Sequence, residues 1–216
     1  MDTDAHLAVR LAADLDRAFP ALVADHANRL YTIALRALGE PRDAEEVAQD
    51  ALVRAYRAMA GYPPERIAEL RLRPWLASIA VNLAHNRRRR HADRRPPHQL
   101  EPLLDAGFDP TDGSARSGPT ATARREAITE LASVLLELTP AVREAVILRH
   151  VDGLSVAETA EALGRPEGTV KAQVARGLER LRILLAARGA DPAATDPRPL
   201  ATINGGHAYA AAEVPA

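Results

Sequence analysis

The stretch GLSVAETAEALGRPEGTVKAQVARGLERLR, residues 153–182, constrains the fold most, because it dictates where one helix starts and stops and where the next begins. Ser155 and Glu158 form the S-x-x-E pattern, in which hydroxyl and carboxylate reciprocally satisfy amides at a helix start. Gly164 supplies the stop, and Pro166–Glu167 the restart, where proline costs no hydrogen bond. Val156, Ala157, Ala160 and Leu163 are expected on the core side of the first helix. On the second, Val170, Val174 and Leu178 stand at i, i+4 and i+8 and predict a buried stripe. The shape is a helix-turn-helix. Thr169, Lys171, Ala172, Gln173 and Arg176 remain for the outer face. In a major groove, arginine suits guanine and glutamine suits adenine. The same face also reads as the solvated side of an ordinary bundle, and the pattern alone leaves both readings open.

The rest of the chain supports an all-α protein of two small helical domains joined by a flexible linker. Helices are expected over 5–19 and 21–38, the latter with Leu22, His26, Leu30, Ile33, Ala34 and Ala37 at helical spacing. Gly39 and Pro41 break it. A third runs from Arg42 to Met59 with the stripe Ala44, Val47, Ala48, Ala51, Leu52, Ala55 and Met59, and Gly61, Pro63 and Pro64 end it. A fourth starts near Pro74, carries Leu76, Ile79, Ala80 and Leu83, and continues into Arg87–Arg90. Prolines, glycines and mixed charge over 92–122 read as the linker. The second domain, 123–188, adds a helix over 123–137 and one from Thr139–Pro140 carrying Val142, Ala145, Val146 and Leu148. Residues 1–91 form the first domain, and 189–216 read as a disordered tail.

Net charge is near zero, yet its arrangement is uneven: residues 66–95 hold nine arginines against Glu69 and Asp93, while 98–113 are acidic. The chain has no cysteine, which removes disulfides, thiolate catalysis and thiolate-bound zinc. Its acidic start differs from a secretory signal, and no apolar run is long enough to span a bilayer, so a cytoplasmic location is expected.

Two N-terminal motifs carry chemistry. In DAEEVAQDALVRAYR, residues 43–57, Glu46, Gln49 and Asp50 share a helix face opposite the apolar stripe. That patch suits a basic helical partner, and equally an ordinary solvated face. No histidine or nucleophile accompanies these carboxylates, so no catalytic site is expected. In RPWLASIAVNLAHNRRRR, residues 73–90, Trp75 opens an apolar face and Asn82, Asn86, Arg87, Arg88, Arg89 and Arg90 extend from the helix. Amides and arginines on one helix suit a single DNA strand, and the loop at 60–73 could hold an unstacked base.

Taken with LTPAVREAVILRHVDGLSVAETAEALGRPEGTVKAQVARGLERLR, residues 138–182, these motifs resemble the sigma-70 family, and in particular its small extracytoplasmic-function (group 4) members. The resemblance covers roughly 20–90 and 124–185 and rests on the order and spacing of the pieces. It implies a factor that binds core RNA polymerase, recognises promoter DNA and opens it, without enzymatic activity, metal or cofactor. It places Glu46, Gln49 and Asp50 at the polymerase clamp helices. Trp75, Asn82, Asn86 and Arg87–Arg90 fall at the minus-10 strand, and Thr169, Lys171, Gln173 and Arg176 at the minus-35 duplex. An anti-sigma protein is a further implied partner. Leu52 stands where the family commonly has phenylalanine, Asn86 where aspartate is common, and Gln173 where arginine is common. The C-terminal half alone also suits a LuxR-type regulator, but the first 90 residues show no strand series for a receiver. A polymerase-binding scaffold without promoter opening is the other alternative.

Overall fold

The computed structural model describes residues 3–94 and 131–188, and every regular element among them is helical. The segment expected as a linker therefore lies outside the described residues except for 92–94. The tail from 189 and residues 123–130 of the expected helix lie outside them too.

The first unit contains α1 (Thr3–Ala13), α2 (Leu15–Leu38), α3 (Pro41–Ala60), α4 (Pro64–Ala68) and α5 (Leu72–Arg94). The first break falls at Asp14, not at Pro20 as the sequence suggested. Asp14 is extended (φ −156°) and its carboxylate accepts from the Arg17 amide at 3.0 Å, which caps α2. Pro20 sits inside α2, where its fixed φ suits a helix although one backbone donor is lost. The stripe from Leu22 to Ala37 is buried as expected. On α3 every expected stripe residue is buried except Leu52, which is half-buried. The loop expected over 60–73 contains α4, whose Ile67 enters the core. Helix α5 begins at Leu72, with Pro74 in its first turn, and runs to Arg94, beyond the expected domain end at 91. Both α3 and α5 pack along α2, and α1 closes over α2 and α4.

The second unit has helical backbone at 131–136 (α6), α7 (Pro140–Val146), α8 (Val156–Leu163) and α9 (Glu167–Ala187). Pro140 opens α7, but Thr139 makes no side-chain capping bond. Helix α7 widens into a π-helical segment, Ile147–Val151, and the Asp152 amide donates to Ile147 O at 2.9 Å. The expected Ser155–Glu158 capping box is present, with bonds of 3.1 and 2.8 Å, and Gly164 ends α8 at φ 60°. The expected stripe on α9 needs correction. Val170, Gln173, Gly177 and Leu181 are buried, while Leu178 is 41% exposed and Val174 half-buried. Gly177 decides this: a Cβ there would stand 2.4 Å from Val146 Cγ2, so α9 turns its glycine, not Leu178, onto α7. On α8, Ala160 is buried as expected and Val156 and Leu163 are half-buried, but Ala157 is exposed, and Thr159 and Ala162 are buried as well.

The two units share a core. Ile147, Leu148, Leu154 and Ala162 belong to the same buried cluster as the stripes of α2 and α5. Arg143, itself buried, donates to Leu135 O, Leu136 O and Leu138 O at the end of α6 and to Ala37 O at the end of α2, at 2.5–2.9 Å. It thereby bonds carbonyls exposed at both helix ends, of which Leu135 O also accepts from the Leu138 amide at 3.2 Å.

Candidate nucleic-acid interface

Helix α3 carries Gln49 and Asp50 exposed and Glu46 half-exposed on one side, opposite the stripe that fixes it to α2. Gln49 Nε2 donates to Glu45 at 3.4 Å, and Glu46 lies 3.7 Å from Arg42. Its stronger partner comes from α5: Arg87 Nη2 lies 2.6 Å from Glu46 and 2.7 Å from Asp43. The acidic face of α3 and the basic end of α5, read separately from the sequence, are thus bonded to each other.

That bonding changes the arginine run. Arg87 is committed to two carboxylates, and Arg88 is half-buried beside Arg143, leaving Arg89 and Arg90 exposed. Asn82 and Asn86 are exposed on the same helix, one turn apart. Trp75 is half-buried in the core, its ring 6.4 Å from that of Tyr62. The Arg66 guanidinium sits 3.9 Å over the Tyr62 ring. Tyr62 and Arg66 were not singled out from the sequence. Their signal was an aromatic and an arginine flanking Pro63–Pro64 before an amide-bearing helix.

On α9, Thr169, Lys171, Ala172 and Arg176 are exposed, Lys171 lying 3.6 Å from Glu167 and Arg176 donating to Ala172 O at 3.2 Å. Gln173 is not with them. It is 9% exposed, and its Oε1 accepts from Arg165 Nη1 at 3.2 Å. Helix α9 therefore presents a short polar patch at its N-terminal end, the arrangement that a groove-entering helix requires. Among the described residues no cluster of histidine, aspartate and glutamate could hold a metal ion, and no helix is long and apolar enough to cross a membrane.

Two family models match the chain: sigma-70 region 2 over residues 22–94 and sigma-70 region 4 over 128–181. The chain belongs to the sigma-70 family. Among its relatives, the ECF RNA polymerase sigma factor SigW of Bacillus subtilis is 30% identical over 174 residues, covering 76% of this chain and 87% of that protein. The RNA polymerase sigma-E factor of Streptomyces avermitilis is 33% identical, covering 82% and 90%. SigE of Mycolicibacterium smegmatis is 30% identical, and there the chain spans 63% of a longer protein. A solved structure of CnrH in complex with the cytosolic domain of CnrY aligns with TM-score 0.62 at 28% identity, over 86% of this chain and 99% of that one. As a sigma-70 factor of the extracytoplasmic-function group, the chain binds core RNA polymerase and directs promoter recognition and transcription initiation. The region 2 match, where a receiver would have to lie, sets aside the LuxR-type alternative.

Proposed function

We propose that three exposed patches divide the work of this sigma factor. Glu46, Gln49 and Asp50 on α3 dock on the clamp helices of core polymerase. Asn82 and Asn86 on α5 read bases of the displaced minus-10 strand, with Arg89 and Arg90 drawing its backbone, while Trp75, Tyr62 and Arg66 line the place for an unstacked base. Thr169, Lys171 and Arg176 on α9 anchor the minus-35 duplex. Residues 1–91 and 123–188 act as the two functional domains, with 92–122 setting their reach. The factor makes and breaks no covalent bond, since polymerase supplies that chemistry. It works in the cytoplasm with the chromosome, and an anti-sigma protein covering the same faces holds it in reserve. Solved relatives carry such partners: CnrH with CnrY, and RpoE of Bartonella quintana with NepR.

The observation that carries this reading is the Arg87 bridge from α5 to Glu46 and Asp43 on α3. It makes the polymerase face and the strand-reading helix one rigid unit, so docking fixes where Asn82 and Asn86 stand relative to the displaced minus-10 strand. Asn82→Ala is the direct test. It is exposed, so folding is spared, and permanganate reactivity of minus-10 thymines should fall severalfold while duplex-bound holoenzyme persists. Normal strand opening by Asn82→Ala would remove Asn82 from the reading set.

A further inference from the structure

We propose that Arg165 is a positioning residue for the minus-35 recognition helix, acting through Glu144 and Gln173. The proposal rests on the reading of α9 as that helix. Arg165 lies in the turn between α8 and α9, directly after Gly164. Its Nη1 donates to Ala141 O at 2.9 Å and to Gln173 Oε1 at 3.2 Å, and its Nη2 to Glu144 Oε2 at 2.5 Å. One guanidinium therefore joins α7, the turn and α9. The Glu144 side chain is 7% exposed, and a carboxylate so placed needs a cation held against it. Its other oxygen lies 3.3 Å from His85 Nδ1, so Arg165 is the strong partner. Gln173 cannot carry charge. It lies against Arg165 on the inner side of α9, where a longer cationic side chain at the same position could approach Glu144 directly. The arginine that the family pattern commonly has at position 173 is thus replaced by a turn arginine and a bridging amide. On this arrangement Gln173 sets the angle of α9 and does not read bases, and the sequence-based expectation of an adenine contact gives way to it.

The test uses full-length protein with core polymerase and a promoter that wild-type holoenzyme selects from a randomised library. Arg165→Ala should lower minus-35-dependent transcription at least about tenfold, because the buried Glu144 carboxylate loses its strong partner. Adding Gln173→Arg to Arg165→Ala should restore most of it, whether the single variant is poorly active or poorly folded. Gln173→Ala should leave the rank order of single-base minus-35 variants unchanged. A reordered ranking for Gln173→Ala, or a double variant no better than Arg165→Ala, overturns the proposal. Failure of wild-type holoenzyme to select any promoter would instead count against the underlying functional reading.

Discussion

His26 shows how a single residue makes stability depend on pH. It is 3% exposed on the core face of α2, neither ring nitrogen makes a hydrogen bond, and Asp4 Oδ1 stands 3.6 Å from Nε2. Burial, then the charges of Arg29 and Arg73, lower its pKa to about 4 from 6.5. Because the folded form resists protonation, the unfolded chain binds more protons between these values, and stability falls as pH drops through that window. Between pH 7 and 5 the loss should be roughly 1–2 kcal/mol, read by urea unfolding. His26→Leu should flatten that part of the pH profile; an equal slope in wild type and variant would contradict the assignment. The position of His26 on the buried stripe was legible from its spacing with Leu22 and Leu30, as was the Ser155–Glu158 box, because both are local patterns. The partners of Arg29 and Gln173 were not. Asp152 is 123 residues from Arg29, and whether Gln173 faces DNA or core depends on how closely α9 meets α7.

At the level of elements, that close approach is set by Gly177. A glycine in a helix interior ordinarily costs about 1 kcal/mol relative to alanine, so Gly177→Ala would stabilise an open helix. Here the new Cβ would meet Val146 Cγ2 at 2.4 Å and Val142 Cγ1 at 2.9 Å, on short β-branched side chains that cannot swing away. Overpacking of this kind costs about 1–3 kcal/mol, which exceeds the propensity gain at most of its range. Gly177→Ala should therefore lower the thermal midpoint of the second unit, whereas Gly168→Ala, with open space around its Cβ, should leave it unchanged or raise it. Equal effects at the two glycines would mean that packing against α7 does not set the face of α9. The expected stripe through Leu178 failed for the same reason. Periodicity weighs leucine as a core residue and glycine as neutral, and here the smallest side chain marks the contact. The unanticipated break at Asp14 follows similar logic: its capping carboxylate outweighs the more conspicuous Pro20.

Across the whole molecule, the order of elements was legible before their assembly was. The helices and their apolar stripes are written in local spacing, and the family follows from motifs that two models match over 22–94 and 128–181. The contacts between units depend on pairs such as Arg71 with Glu158 and Arg143 with Ala37 O, which no local pattern announces. Such contacts differ in weight. Exposed pairs like Arg71–Glu158 contribute about 0–1 kcal/mol, while removing one partner of a buried pair such as Arg29–Asp152 costs about 3–5 kcal/mol. What unites the three patches is their joint action on polymerase and promoter, and transcription by purified core polymerase from the promoter that holoenzyme selects tests this most directly. Transcripts should start at one position when the chain is added, be absent without it, and be lost on charge reversal at Glu46 or Asp50 in protein that remains folded. Promoter-specific transcripts without the chain, or undiminished initiation by both reversed variants, would contradict it.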